Sequence, residues 1–171
     1  MKKKIAVVTL ILSLMLTFVA FASLEEGDWE QYTDINYESE LLPSGVNSSY
    51  GSSNKGARGD YIAVATVGLG NEGNGKMAVI SSTSSHTYCD RIRMKIYLDK
   101  YNESKDTWEN IKTFTYDVKS SDVGGNLHLL NEEEIVTVQK GYYYRVRGVH
   151  TVYQNGKSEN FSTYSKGVLA E

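Results

Sequence analysis

From residue 60 to the end of the chain, hydrophobic and polar side chains alternate with a period of two. The clearest segment is residues 89–99, which places four apolar side chains on one face and four basic or aromatic ones on the other: Ile92, Met94, Ile96 and Leu98 against Arg91, Arg93, Lys95 and Tyr97. Such alternation is typical of a β-strand with one face in the core. No long helical period appears, so the sequence predicts an all-β protein.

Turn residues divide this region into seven predicted antiparallel strands. They cover residues 61–69, 77–81, 89–99, 108–118, a broken strand at 127–130 and 135–138, 142–153 and 161–169. The dipeptide Asn155-Gly156 predicts a tight hairpin, because both residues tolerate the positive φ angles of a type I′ turn. Short strands at this spacing favour a β-sandwich over residues 60–171.

The segment 138–150 reads VQKGYYYRVRGVH, in which Gly141 precedes Tyr144 and then the alternating valines that begin at Val146. This run resembles the penultimate strand of fibronectin type III and other immunoglobulin-like domains, and the resemblance covers residues 60–169. It implies an immunoglobulin-like sandwich without the paired cysteines of antibody domains. Through Arg58-Gly59, the Trp108 hairpin and the run from Gly141, the chain also resembles small signal-bearing proteins of Gram-positive, spore-forming bacteria. That family has no known function and implies no activity.

The first 22 residues have the three parts of a secretory signal. Three lysines precede an uncharged apolar run at residues 5–21, and small residues occupy positions 20 and 22. A membrane anchor needs about 20 apolar residues, whereas here the run is shorter and acidic residues follow at once. We therefore expect cleavage after Ala22, no membrane anchor in the mature protein, and secretion with at most loose association with the cell wall.

Residues 23–59 show no regular period. The first half is acidic, and the second half is rich in serine, glycine and asparagine. Such a composition buries too little apolar surface to offset the entropy lost on ordering. The expected organisation is a signal peptide at residues 1–22, a flexible polar arm at 23–59 and a sandwich domain at 60–171.

Composition narrows the classes of partner. The chain has 18 basic and 21 acidic residues, a formal charge of −3, and removal of the lysine-bearing signal makes it more acidic. An acidic protein is not an expected nucleic-acid partner. Because Cys89 is the only cysteine, an intramolecular disulfide is impossible. We expect the domain to be stabilised by packing alone.

The candidate catalytic and metal-binding residues match no known pattern. Cys89 is not in the sequence context that activates a nucleophilic thiol, and His86, His128 and His150 have no metal-ligand spacing. The acidic run 132–134 lacks the alternation of a calcium loop and is interpreted as a solvated turn. The sequence therefore predicts no enzyme, no metal and no cofactor.

The strongest functional hypothesis concerns two outward rows on the third and sixth strands, which are neighbours in an immunoglobulin-like sandwich. The rows are Arg91, Arg93, Lys95 and Tyr97, and Tyr143, Arg145, Arg147 and Tyr153. Arginine suits planar anions and tyrosine adds rigid contact area. We therefore predict a non-enzymatic extracellular binding domain whose basic face binds an anionic or glycan partner, such as a cell-wall polymer, a glycan or an acidic protein surface.

Alternatives remain for both the face and the function. Cross-strand acids would neutralise the basic rows, or arginine stems would simply cover the sheet. A secreted antibacterial or signalling effector is the second functional hypothesis. A small hydrolase with a site that the sequence does not reveal is the third.

Overall fold

The structure is a computed structural model that describes residues 32–53 and 59–171. The predicted signal peptide lies outside the described residues. Within them the chain forms nine β-strands and a short 3₁₀ helix at Ser120–Val123. The strands are β1 (Ser48–Ser52), β2 (Ile62–Gly73), β3 (Lys76–Ser85), β4 (Arg91–Asn102), β5 (Thr107–Lys119), β6 (Leu129–Thr137), β7 (Tyr143–Gln154), β8 (Lys157–Tyr164) and β9 (Val168–Leu169).

The strands form two antiparallel sheets. The first has the order β1-β2-β3-β6, and the second has the order β5-β4-β7-β8 with β9 paired to β7. The alternating apolar residues of both sheets form a shared core that includes Val67, Met77, Ile96 and Val146. The all-β prediction is confirmed, and the architecture is sandwich-like with two separate sheets.

The predicted number of seven strands is wrong, because the described residues form nine. One additional strand is β1, which is short and carries little apolar patterning and which joins its sheet through backbone pairing, with Ser49 opposite Leu69. Such pairing depends on backbone groups, which the hydrophobic pattern does not report. The other arises because the predicted strand 161–169 is divided into β8 and β9, with β9 pairing to β7 at Val168 opposite Tyr144.

The acidic run 132–134 is also different from the prediction. It lies within the continuous strand β6, where the sequence analysis expected a solvated turn between two strand fragments. β6 is the last strand in its sheet order, so solvent lies along its outer side and hydrates the charged side chains. Charged residues on an edge strand are a common protection against pairing with other chains.

Part of the predicted flexible arm belongs to the fold. Residues 48–52 form β1, and residues 32–42 lie along the second sheet. The amide of Leu42 donates to the Gly167 carbonyl at 2.9 Å, and the amide of Gly167 donates to the Glu40 carbonyl at 2.8 Å. The prediction of a flexible arm is therefore wrong for these residues, while 23–31 and 54–58 lie outside the described part. We call residues 32–42 the N-terminal cover.

The two sheets meet along one side, where β1 approaches β8. The amide of Lys166 donates to Ser49 Oγ at 2.8 Å. A β-carbon at Gly51 would overlap the carbonyl oxygen of Tyr164, so the backbones approach this closely only with glycine at that position. On the opposite side β5 and β6 end their sheets, and the Tyr116 hydroxyl donates to Glu134 Oε1 at 3.3 Å.

Candidate functional site

The two rows of residues predicted to form a binding face do lie side by side. Strand β4 pairs antiparallel with β7, in a register that places Tyr97 opposite Arg147 and Asp99 opposite Arg145. The alternation of β4 therefore continues to Asp99, which brings a carboxylate into the predicted basic face. This residue decides the electrostatics of one end of the face.

Asp99 lies between two arginines at the end of the face nearest the β4–β5 turn. Its Oδ2 atom is 2.7 Å from Arg147 Nε and 3.3 Å from Arg145 Nε, and Asn110 Nδ2 donates to its Oδ1 at 3.1 Å. Asp99 and Arg145 are both 0% exposed, and Arg147 is 6% exposed. Buried charges at such positions must be paired and hydrogen-bonded. We call these three residues the buried triad.

The N-terminal cover completes the hydrogen bonding of Arg145. The guanidinium Nη2 donates to the carbonyl oxygen of Ile35 at 2.6 Å, and Nη1 donates to the Tyr37 carbonyl and to Ser39 Oγ. The Tyr37 ring also stacks on Tyr164, with ring centroids 4.0 Å apart. The backbone carbonyls of the cover therefore hold Arg145, and the Tyr37 ring and the Leu42 side chain add apolar contacts to the domain.

Arg147 and Tyr97 are covered in the same way. The Arg147 guanidinium lies over the Tyr97 ring at 4.0 Å, and its Nη1 donates to Thr33 Oγ1 at 3.2 Å. Tyr97 is 4% exposed. The expectation that Tyr97, Arg145 and Arg147 form an exposed binding surface is therefore wrong, because the cover shields them and Asp99 compensates their charge.

The other end of the face lacks that cover among the described residues. Asp117 on β5 accepts from Arg91 Nε at 2.6 Å and from Arg91 Nη2 at 2.5 Å, and it lies 3.3 Å from Arg93 Nε. The Arg91 hydrogen bonds hold the pKa of Asp117 below its ordinary value. The remaining predicted residues, Lys95, Tyr143 and Tyr153, are half-buried. These contacts match the alternative in which cross-strand acids neutralise the basic rows.

The cysteine and the central histidine are structural. Cys89 is buried, its thiol donates to the Leu127 carbonyl at 3.4 Å, and burial raises its pKa. His150 lies between the sheets, with Nδ1 2.7 Å from Thr83 Oγ1 and Nε2 2.8 Å from Thr163 Oγ1. Burial lowers the pKa of His150 to about 3, so the ring is neutral at physiological pH. Within residues 32–53 and 59–171, no cluster of potential ligands is arranged to hold a metal.

A cleft of about 570 Å³ lies between the N-terminal cover and the β4–β5 hairpin. Its walls include Asn36 and Glu38 from the cover, and Tyr101, Asp106 and Trp108 from the hairpin. Aromatic rings and carboxylates therefore face the same space. We call it the aromatic cleft.

Trp108 is held in a fixed position in the aromatic cleft. It is the second residue of β5 and lies opposite Tyr101, and the two rings are tilted with centroids 5.1 Å apart. The Arg145 guanidinium lies 4.4 Å from the Trp108 ring. A β-carbon added at Gly167 would lie only 3.0 Å from the indole, so this glycine leaves room for it. The buried triad thus supports the half-buried indole from beneath.

The polar groups of the aromatic cleft are mainly acidic. The Tyr101 hydroxyl donates to Asp106 Oδ1, and this hydrogen bond raises the pKa of Tyr101. Asp106 adopts a positive φ of 54° in the β4–β5 turn. Glu40 Oε2 is 2.6 Å from Lys166 Nζ, which compensates one carboxylate of the lining. The carboxylates of Glu38 and Asp106 give the cleft a negative charge.

Sequence reasoning did not identify the aromatic cleft. Tyr101 and Trp108 flank the polar loop 102–106, and this placement of aromatics across a hairpin was the available signal. The second wall comes from residues 36–40, far away in the sequence and without regular patterning. Their position against the hairpin had no local signal.

The fold and site define a two-sheet, all-β protein with an aromatic cleft at one end. Over residues 37–167 the chain matches the family of unknown function DUF6147, and it belongs to that family. The matched span begins within the N-terminal cover and ends in the segment that pairs with it, so the cleft residues from Tyr37 onward lie inside the family region, whereas Asn36 precedes it. No curated protein and no solved structure matches the chain. In the part of the chain that the structure describes, no helix is long and apolar enough to span a membrane.

Proposed function

We propose that this protein is a non-enzymatic, secreted binding domain and that the aromatic cleft binds a neutral glycan. The proposal keeps the binding function inferred from the sequence but moves the site from the β4–β7 face to the cleft. The observation that carries it is Trp108, a half-buried indole supported by Arg145 and placed beside polar groups in the same cleft.

The composition of the cleft suits a sugar. Aromatic rings supply rigid apolar area for the C–H face of a pyranose ring. The side chains of Asn36, Glu38 and Asp106 supply acceptors for the hydroxyl and amide hydrogens at its rim. Ligand sites commonly have volumes of about 300–1,000 Å³ and a few polar groups among apolar walls. The aromatic cleft, at about 570 Å³, lies within this range, and its lining combines aromatic rings with a larger share of polar groups.

The charge of the cleft selects among glycans. Glu38 and Asp106 would repel phosphates or uronates, whereas Lys166 compensates only Glu40. An acetamido sugar offers a methyl group to the indole and an N–H donor to a carboxylate. We therefore propose a neutral, N-acetylated glycan and withdraw the anionic polymer expected from the sequence.

Two further expectations form part of this proposal. The signal-like residues 1–22 support export, which gives access to extracellular glycans. The strand order β5-β4-β7-β8 beside β2-β3-β6 supports an immunoglobulin-like relationship, with β4 and β7 as the neighbouring third and sixth strands of the predicted sandwich.

Binding to chitin, a neutral polymer of N-acetylglucosamine, tests the proposal. We expect the secreted form to be retained on chitin but not on polygalacturonate, which carries a carboxylate on each sugar. Trp108→Ala should weaken retention by at least about tenfold, as for an aromatic anchor at the centre of a site. Tyr88→Ala is the matched control, because Tyr88 is 60% exposed and lies outside the aromatic cleft.

A second variant separates binding from folding. Trp108 packs on the buried triad, so its removal also affects stability, whereas Glu38 is exposed and Glu38→Gln preserves its shape. Glu38→Gln should weaken retention while the melting temperature stays unchanged. Absence of retention by the folded wild-type protein would show that the proposed function is wrong. Equal retention of wild type, Trp108→Ala and Glu38→Gln would place the site elsewhere.

A further inference from the structure

A second cleft, of about 520 Å³, lies on the other side of the β4–β5 hairpin. Tyr101 lines both clefts, and the second is completed by Lys100, Asn102, Glu109 and Tyr142. Resting on the proposed function, we infer that the glycan site continues past Tyr101 into this second cleft, so that the ligand is an oligosaccharide rather than a single sugar.

The two clefts are built on the same principle. In the aromatic cleft Arg145 lies against the Trp108 ring, and in the second cleft Lys100 Nζ lies 3.4 Å from the centroid of the Tyr142 ring. The same ammonium donates to Gln139 Oε1 at 3.0 Å, which fixes its position over the ring. A cation against an aromatic ring is attracted to it and restricts the motion of both groups. Each cleft thus contains one oriented aromatic surface.

Polar groups of the second cleft are also fixed before any ligand arrives. Asn102 Nδ2 donates to Glu109 Oε1 at 2.9 Å, and Ser104 Oγ donates to Asn102 Oδ1 at 2.8 Å. Lys105 Nζ lies 3.4 Å from the same Glu109 oxygen. Oriented acceptors of this kind bind hydroxyl groups with a smaller loss of side-chain entropy than mobile ones.

The two clefts meet at Tyr101, which lines both of them. Strand alternation places Tyr101 and Trp108 on one face of the β4–β5 hairpin and Lys100 and Glu109 on the other. Tyr142, the residue before β7, lies on the Lys100 side. A ligand that fills both clefts therefore passes around Tyr101 and contacts aromatic rings on both faces of the hairpin. A monosaccharide would use only one of them.

The test is a length series of β-1,4-linked N-acetylglucosamine, from the monosaccharide to the hexamer, titrated calorimetrically against the full secreted protein. We expect the affinity of the wild-type protein to rise by at least about tenfold between the dimer and the hexamer. Tyr142→Leu keeps apolar packing but removes the planar ring, and it should abolish this gain without changing the affinity for the dimer. Trp108→Ala should weaken binding at every length.

Glu109→Gln provides a second variant, because Glu109 is exposed and its replacement leaves the core untouched. It should reduce hexamer affinity only. An affinity that does not change with length, or a hexamer that binds Tyr142→Leu and Glu109→Gln as tightly as wild type, would overturn the two-cleft inference and leave the aromatic cleft intact. No binding at any length by the folded protein would instead overturn the proposed function.

Discussion

The two ends of the β4–β7 face contain the same kinds of residues in opposite circumstances. At one end Arg145 and Arg147 share the fully buried Asp99 beneath the N-terminal cover. At the other end Arg91 and Arg93 share Asp117, whose side chain is 33% exposed. The strands, the register and the alternation are common to both ends. The comparison shows that the exposure of a row of basic residues on a sheet depends on which segment covers it.

The different environments change what each carboxylate contributes. Removing one partner of a buried ion pair leaves an uncompensated charge in the interior, which is strongly destabilising. When a partly exposed ion pair is broken, water replaces the lost contacts, so the pair contributes little to the free energy of unfolding. Equivalent substitutions at Asp99 and Asp117 therefore measure the effect of the cover directly.

The largest expected effect comes from Asp99→Ala. This change leaves the buried guanidinium groups of Arg145 and Arg147 without a counter-charge, and we expect the free energy of unfolding to fall by about 3–5 kcal/mol. The matched variant Asp117→Ala should cost no more than about 1 kcal/mol. Urea denaturation at neutral pH measures both values. Similar losses for the two variants would contradict the distinction between the two ends.

An intermediate effect is expected where the cover touches the triad. Thr33→Val replaces the hydroxyl that accepts from Arg147 Nη1 at 3.2 Å by a methyl group of similar size. Loss of this buried hydrogen bond should lower the free energy of unfolding by about 1–2 kcal/mol. Thr115→Val, at an exposed position of β5 opposite Lys95, is the control and should be nearly neutral. If Thr33→Val were also neutral, the cover would not be bound as tightly as its contacts indicate.

The smallest effect depends on pH at the exposed end. Because Arg91 lowers the pKa of Asp117 in the folded state, the unfolded chain binds that proton more readily. The contribution of Asp117 to stability is therefore fully present above the ordinary aspartate pKa of about 3.9 and is lost as pH falls through the lowered folded value. Asp117→Asn should be slightly less stable than wild type at neutral pH, and the two should converge in strong acid.

Denaturation curves of both proteins across the acid range provide the measurement. His150 contributes a separate acid effect, since its folded pKa of about 3 lies below the ordinary histidine value of about 6.5 and stability falls as pH drops below the latter. This effect is common to both proteins and cancels in their difference. A difference that stayed constant down to strong acid would show that Asp117 has no lowered pKa.

The sequence was sufficient for the strands that make the face. The alternation in β4 and the Asn155-Gly156 turn predicted two central strands, and both turn residues have the expected positive φ, at 52° and 72°. Asp99 continues the outward row of β4 and lies opposite Arg145. Extending the row by this one residue would have indicated an ion pair rather than a free basic surface.

The burial of the triad was not predictable in the same way. The N-terminal cover holds Arg145 through the carbonyl oxygens of Ile35 and Tyr37, and every residue type has such an oxygen. The polar composition of the cover therefore predicts a flexible segment, whereas in the structure its backbone carbonyls are hydrogen-bonded to Arg145. The aromatic cleft depends on the same long-range placement, so only its Tyr101–Trp108 wall had a local signal.

The close approach at Gly51 has a consequence for how the molecule opens. It joins β1, an edge strand of one sheet, to the end of β8, an edge strand of the other. Because a β-carbon at residue 51 would overlap the Tyr164 carbonyl oxygen, any larger side chain there must push β1 away from β8. Local opening begins where few contacts hold a segment. We therefore expect Gly51→Ala to make the backbone amides of β1 exchange with solvent faster than in the wild-type protein.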